Sequence, residues 1–288
     1  MNAAVNESEW AALIQLIDDP DEEIFQAVSQ RIAACGLSVL PQLEQIWETA
    51  EHPEHQNRLD ALIRRIQFED IQKQFDHWRL QELPDLWSGL LILDQLNHRE
   101  DRSDALCTSL EQLRRNAWLE LNQYLTPLEQ INVLSRVLFE HNSFKGIDPV
   151  REKIENYFLG DVLLKRTGNQ MGLGLLLLVL AEKLDLPLHA MQVPGLFVLG
   201  SPNILPSRQR TGIESIDFYV DPQTGELFGR VEIEQFLRRV HQPLEDVYFS
   251  PLTNPELIGV WLKKLQQKAE ENGDKSLVDQ IQELVNSL

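Results

Sequence analysis

Cysteine is scarce in this chain of 288 residues, which contains only Cys35 and Cys107. A disulfide framework needs several cysteine pairs, and a zinc site needs Cys and His at short, regular spacings. Neither pattern is present. We therefore expect both cysteines to be small buried apolar groups, and we expect no metal site.

Basic residues are also few. Lys and Arg total 26 against 45 Asp and Glu, which gives a formal net charge of -19. Binding to phosphates needs a concentrated basic patch, and the basic pairs of this chain are interleaved with acids. The charge balance excludes nucleic acid as an expected partner.

The chain lacks long hydrophobic runs. The most apolar segment runs from Met171 to Leu184, which is shorter than the roughly 18 apolar residues that a membrane-spanning helix needs. The N-terminal residues do not combine basic and apolar stretches into a secretion signal. We expect a cytoplasmic protein that does not insert into membranes.

The segment 171–184 has Leu and Val on almost every side of a helix, a pattern typical of a helix buried in a protein core. Val-, Phe- and Tyr-rich stretches at 191–199 and 216–220 predict strands of a small sheet against that helix. Gly172 and Gly174 form Gly-x-Gly, but the third glycine of a dinucleotide fingerprint is replaced by Leu177. No cofactor is therefore expected.

Three short segments of this core follow one another in an order that is typical of a known family. They are Gly168, Asn169, Gln170, Met171 and Gly172 at the helix start, then Val193, Pro194, Gly195, Leu196 and Phe197, then Tyr219, Val220, Asp221 and Pro222. This order resembles the transglutaminase-like superfamily, and in particular its bacterial SirB-type branch. Active members carry a Cys at the helix start, a His on the next strand and an Asp on the one after, so that the His deprotonates the thiol and the Asp orients the His.

By this resemblance, the three catalytic positions fall at Gln170, Leu196 and Asp221. An amide is not a useful nucleophile at neutral pH, and a leucine side chain cannot transfer a proton. The resemblance thus implies a pseudoenzyme that cannot perform thiol-based acyl transfer. Asp221 precedes a proline, which favours a structural role in a turn.

The resemblance extends beyond the core and covers roughly the C-terminal two thirds of the chain, with one departure. SirB-type proteins have a loop rich in Asn, Tyr and Asp-Pro near their cleft, where this chain has residues 147–158. The Glu and Lys content of this stretch predicts a helix instead of a loop that contacts a substrate.

The N-terminal third has the pattern of successive amphipathic helices. The acidic stretch 18–23 supplies a helix start before apolar Ile24, Phe25 and Val28. A HEAT-like helix pair and an irregular helical domain are both compatible with it. The predicted class is α+β, with a helical domain over 1–105, a papain/transglutaminase-like core with a small antiparallel sheet over 106–245, and a C-terminal helical segment over 246–288.

Two functions follow from these patterns. The first is a non-catalytic scaffold that binds a protein or peptide through a remnant cleft at Asn169, Gln170, Leu196 and Asp221, or through its helical surface. The second is a hydrolase or acyl-transfer-type enzyme with a relocated catalytic histidine, His189 or His141. A histidine close to both a carboxylate and a Ser or Cys in one pocket would favour the enzyme.

Overall fold

The computed structural model describes residues 7–17, 21–50, 52–98, 101–203 and 212–288. The chain divides into two compact units, Met1–His77 and Trp78–Leu288. The sequence placed a boundary at 105 instead, within the first turn of a helix of the second unit. The physical reason for the difference is that the apolar helix Leu86–Asp94 packs against the buried central helix of the second unit.

The first unit is helical, as predicted. Its helices are α1 (Glu7–Leu16), α2 (Glu22–Ala33), α3 (Leu40–Thr49) and α4 (Pro53–Arg79), the last two residues of which belong to the second unit. Asp21 caps α2, because its side chain accepts a hydrogen bond from the Glu23 backbone N–H at 2.9 Å. Residues 18–20 of the predicted helix start lie outside the described residues. The HEAT-like arrangement stays a prediction.

Most of the second unit is also helical. Its α-helices are α5 (Leu86–Asp94), α6 (Ser103–Glu120), α7 (Pro127–Arg136), α8 (Leu159–Lys165), α9 (Gln170–Lys183), α10 (Arg230–Arg239), α11 (Asn254–Asn272) and α12 (Lys275–Ser287). The predicted core helix is α9, whose residues 171–181 are all buried. It contacts α5, α6, α7 and α8, which explains why its sequence is apolar on every side.

The two cysteines do not both behave as expected. Cys35 is partly buried, but Cys107 is exposed and both thiols are free. The buried stripe of α6 is formed by Leu106, Leu110, Leu113 and Ala117. Cys107 lies one residue away from this stripe, so the helix turns its side chain to solvent.

The described residues form two sheets. A short parallel pair joins β1 (Lys145–Gly146) to β2 (Thr167–Gly168). The larger sheet is antiparallel, and its strands in spatial order are β3 (His189–Val193), β4 (Leu196–Pro202), β5 (Ile216–Val220) and β6 (Leu227–Phe228). The small antiparallel sheet predicted from the sequence is therefore present.

The predicted single strand over 191–199 is wrong, because a tight turn divides it. Val193 pairs directly with Leu196, so Pro194 and Gly195 form a two-residue connection between β3 and β4. Gly195 has a φ of 75°, which a Pro-Gly type II turn requires at its second central residue. The turn joins β3 to β4, and β3 lies at one edge of the sheet.

The two faces of the larger sheet pack against different helices. Phe197 faces α9, since a Cβ on Gly174 of that helix would lie 2.5 Å from its ring. Met191, Val193 and Val198 belong to a second cluster with Ile233 and Leu237 of α10. The sheet thus lies between α9 and α10.

Within the described parts of the chain, no helix combines the length and the apolar character needed to cross a bilayer.

Candidate functional site

A cavity of about 740 Å³ opens at the start of α9, inside the second unit. Its lining comes from the loop after β1, the start of α9, the β3–β4 hairpin, the turn after β5, the segment that leads into α11 and α11 itself. They are Ile147, Pro149, Glu152, Tyr157, Asn169, Gln170, Met171, Gln192, Val193, Pro194, Gly195, Leu196, Phe197, Gln223, Val247, Tyr248, Ser250, Pro251, Leu252, Glu256, Val260 and Lys264.

Asn169 holds the helix start in place. Its side-chain oxygen accepts a hydrogen bond from the Gly172 backbone N–H at 2.8 Å, and its amide nitrogen donates to the Glu152 carboxylate. Asn169 is buried and is the N-cap of α9. Gln170, the first residue of the helix, is half-buried and lines the cavity next to it.

Tyr157 lies beside this amide-carboxylate pair. Burial raises the pKa of its hydroxyl well above the ordinary value, and the charge of Glu152 raises it further. The hydroxyl therefore stays protonated at neutral pH. The backbone carbonyl of Tyr157 accepts a hydrogen bond from the Trp261 indole at 3.0 Å, which fixes this wall of the cavity to α11.

Leu196 lines the same cavity as Gln170, as the sequence predicted for a shared cleft. It follows the hairpin turn, pairs with Val193 and packs against the cluster between the sheet and α10. Phe197, not Leu196, faces α9. Leu196 therefore contributes an apolar rim instead of a group in contact with the helix start.

Asp221 does not line the cavity, in contrast to the predicted cleft. Its carboxylate accepts a hydrogen bond from the Gln223 backbone N–H at 2.8 Å, and its backbone carbonyl accepts from Gly225 at 2.8 Å. These bonds close the turn after β5, the structural role that the Asp-Pro sequence favours. Gln223, which the sequence analysis did not single out, lines the cavity and donates to the Ile147 carbonyl at 2.8 Å.

The helix predicted over 147–158 is wrong. The segment forms two single turns of 3₁₀-helix, Pro149–Arg151 and Ile154–Tyr157, separated by extended residues. Asp148 caps the first turn through the Val150 N–H at 2.9 Å, and the Asn156 side chain accepts from the Lys153 N–H at 2.7 Å. These local hydrogen bonds compete with a continuous helix. The segment is therefore a loop that lines the cavity.

Comparison with known proteins identifies the family of this arrangement. Residues 104–263 match the family model described as the transglutaminase-like superfamily. The chain belongs to this superfamily.

The most similar relatives include SirB-type proteins. The chain is 26% identical over 185 residues to a UPF0162 protein of Vibrio cholerae, and the match covers 63% of this chain and 65% of that protein. It is 25% identical over 204 residues to protein SirB1 of Salmonella typhimurium, covering 69% of this chain and 71% of that protein. The chain thus spans slightly less than two thirds of the Vibrio protein. No solved structure matches the chain.

Two glutamates and one lysine line the cavity of this transglutaminase-like protein, and both glutamates have hydrogen-bonding partners. Glu152 accepts from Asn169, and Glu256 accepts from both the backbone N–H and the hydroxyl of Thr253 at 2.8 Å. These bonds from Thr253 lower the pKa of Glu256. Lys264 is exposed and has no ion-pair partner among the described residues. The lining thus contains two hydrogen-bonded carboxylates and one ammonium group that has no ion-pair partner among the described residues.

Neither candidate histidine lies in the cavity lining. His141 contacts the Glu120 carboxylate at 3.1 Å on the protein surface. His189 is at the start of β3 and is exposed, and desolvation by neighbouring residues lowers its pKa. In the described parts of the chain, no hydrogen bond joins either histidine to a Ser or Cys side chain.

Substituting Gln170 by cysteine tests whether this helix start retains the electrostatics of a catalytic position. We expect Gln170→Cys to react with iodoacetamide at pH 7 about tenfold faster than Cys107, because the helix start lowers a thiol pKa. Mass spectrometry of the two labelled peptides measures both rates in one sample. Equal rates would show that the helix start does not activate a thiol.

Proposed function

We propose that this protein is a non-catalytic member of the transglutaminase-like superfamily, and that its cavity binds a segment of a partner protein or peptide. The observation that carries the proposal is the chemistry of the cavity lining, in which the described residues include neither a thiol nor an imidazole. Gln170 occupies the position at which the resemblance places the nucleophile, and Leu196 occupies that of the base. The pair cannot form or break an acyl bond by the superfamily's mechanism.

The lining is suited to binding instead. It combines apolar groups at Met171, Leu196 and Phe197 with the amides of Gln170 and Gln192. A volume of about 740 Å³ lies within the range of roughly 300–1,000 Å³ that ligand pockets occupy. Apolar walls with a few fixed polar groups favour a ligand whose side chains are buried while its polar backbone is hydrogen-bonded.

The hydrogen bonds that fix the walls of the cavity support the same proposal. Asn169, Glu152 and Tyr157 form one polar group at the helix start, and Trp261 ties that wall to α11. A cavity whose walls are fixed by hydrogen bonds loses little conformational entropy on binding. These groups therefore favour the binding of a ligand and do not require that the cavity catalyses a reaction.

The test is affinity capture from a lysate of the native organism, using the full chain as bait. We expect Leu196→Asp to lose a partner that the wild-type protein retains, because a carboxylate at the apolar rim must be desolvated when the partner binds. Val231→Asp is the matched control, since Val231 is an exposed apolar residue of α10 outside the cavity. Quantitative mass spectrometry compares the three baits.

The proposal predicts a partner shared by the wild-type protein and Val231→Asp and absent from Leu196→Asp, with equal thermal stability of all three proteins. Identical partner sets for the three baits would contradict a role for the cavity. A covalent acyl adduct on the polypeptide would contradict the non-catalytic assignment.

A further inference from the structure

We infer that the occupant of the cavity is a short extended peptide, which pairs its backbone with the β3 edge at Gln192 and places a carboxylate near Lys264. The inference rests on the proposed function, because it specifies the ligand of the same cavity. Three features support it. The backbone groups of Gln192 point away from the sheet, the bond from Leu252 to Ala190 limits the open part of the β3 edge, and Lys264 has no ion-pair partner among the described residues.

The backbone of Gln192 points away from the sheet. Ala190 lies two residues earlier on β3, and its carbonyl accepts a hydrogen bond from the Leu252 N–H at 3.1 Å, on the side opposite β4. Residues two apart on a strand direct their backbone groups to the same side. The N–H and C=O of Gln192 therefore face the open edge, and in the described parts of the chain they have no backbone partner.

The open edge is short. The bond between Leu252 and Ala190 closes β3 on one side of Gln192, and the turn at Pro194 and Gly195 ends the strand on the other. A second copy of β3 could not form a continuous ladder here without breaking the bond to Ala190. The edge accommodates one pair of backbone hydrogen bonds, which suits a short extended segment and not sheet-to-sheet dimerisation.

The surroundings of Gln192 offer space for the side chains of such a segment. The large cavity adjoins a smaller one of about 350 Å³, and Gln192, Leu252, Glu256 and Val260 line both. Neighbouring side chains of an extended peptide point in opposite directions. A peptide paired with Gln192 can therefore place apolar side chains in the adjoining spaces.

The charged residues of the cavity lining indicate that the peptide also carries a carboxylate. Glu152 and Glu256 are hydrogen-bonded within the protein, whereas the Lys264 ammonium has no ion-pair partner among the described residues. The protein as a whole carries a net charge of -19, which repels an acidic peptide at long range, so the attraction has to come from a local cation such as Lys264. Lys264 thus favours a peptide with a carboxylate close to the apolar segment.

The test uses peptides selected from a displayed pool of random sequences on the immobilised full chain. We expect the selected peptides to combine apolar residues with an acidic one, and to bind Gln192→Pro at least about tenfold more weakly than the wild-type protein. Proline removes only an outward N–H, which an edge strand tolerates. Gln192→Ala is the matched control, because it removes the side chain and keeps the backbone donor. Fluorescence polarisation measures affinity.

A second measurement remains valid even if the proline variant is poorly folded. Single N-methylation along a selected peptide should abolish binding to the wild-type protein at the one residue whose N–H meets the Gln192 carbonyl. Lys264→Ala should weaken the binding of a selected acidic peptide several-fold. It should leave unchanged the binding of the same peptide in which the acidic residue is replaced by its amide.

The outcomes separate the two proposals. Binding that is lost in Leu196→Asp but kept in Gln192→Pro, with no sensitive N-methyl position, would overturn the backbone pairing and leave the cavity as a binding site. Binding that is insensitive to Leu196→Asp, or a pool that yields no peptide, would overturn the proposed function as well. Selected peptides without acidic residues would overturn the role of Lys264.

Discussion

Arg102→Ala should lower the free energy of unfolding of the second unit by about 3–5 kcal/mol, because it leaves two buried carboxylates without their shared cation. The Arg102 guanidinium binds Asp94 through two hydrogen bonds of 2.7 and 2.9 Å and contacts Asp161 at 3.5 Å. Asp94 is 4% exposed and Asp161 2% exposed. Breaking a buried pair by removing one partner is among the most destabilising changes a protein can undergo.

Asp161 gives this cluster a dependence on pH. Burial alone would raise its pKa, but hydrogen bonds from His98, Lys165 and Arg102 outweigh burial and hold the pKa below its ordinary value of 3.8. A carboxylate with a lowered pKa in the folded state stabilises the protein above its unfolded-state pKa, and the contribution is lost as the pH falls. The wild-type protein should therefore lose stability below about pH 4.

Arg114→Ala is the matched control on α6. Arg114 forms two hydrogen bonds of 2.7 and 2.8 Å to Glu111, but that pair is exposed to solvent. Solvent weakens the attraction within an exposed pair, so the control should be nearly as stable as the wild-type protein. Native-state hydrogen exchange at the α9 amides measures the second unit separately from the first. Similar losses in both variants would mean that burial does not strengthen the Arg102 contacts.

The central helix could be predicted from the sequence because its signal is local. The apolar run from Met171 gives α9, and Asn169 precedes it as a residue type that caps helices. The family resemblance also indicated that Gln170 and Leu196 lie close to the same cleft, and both line one cavity. Each of these features depends on a short stretch of chain whose residue pattern is compatible with few other structures.

Other features were missed for identifiable reasons. The turn at Pro194 and Gly195 was visible as a Pro-Gly pair, but the run of Val and Phe around it favoured one strand. The loop 147–158 has helix-forming residues, and capping by Asp148 and Asn156 overrides their propensity.

The buried ion cluster and the cavity rim could not be found from sequence patterns. Arg102 and Asp161 are 59 residues apart, and only the tertiary fold brings them together. Gln192 and Lys264 have ordinary surface residue types, so nothing in their neighbours distinguishes them. Their role depends on an open strand edge and on which nearby carboxylates already have partners.

Asn169→Asp should lower the free energy of unfolding by about 3–4 kcal/mol at neutral pH, although aspartate is normally a good helix cap. In the wild-type protein the Asn169 amide donates to the Glu152 carboxylate, and the site is buried. The substitution replaces that donor by a second carboxylate at the same place. Two carboxylates at hydrogen-bond distance must share a proton, which raises one pKa by about two to three units.

Asn169→Ser separates this charge effect from the loss of the amide. Serine keeps an oxygen that can cap α9 through the Gly172 N–H and introduces no charge. We expect it to cost about 1 kcal/mol or less through the cap itself, with the lost bond to Glu152 adding a similar amount. Chemical unfolding of both variants, followed over a range of pH, gives the comparison.

The pH dependence of Asn169→Asp should have the opposite sign to that of Asp161. The shared proton raises a carboxyl pKa in the folded state above its unfolded value, so the folded state binds more protons and stability falls as the pH rises through the raised pKa. The variant should recover most of its lost stability near pH 4, where the pair binds about one proton in the folded and in the unfolded state. A destabilisation that is equal at pH 4 and pH 7 would mean that Glu152 moves away from the introduced carboxylate, and that the polar group at the start of α9 is not fixed.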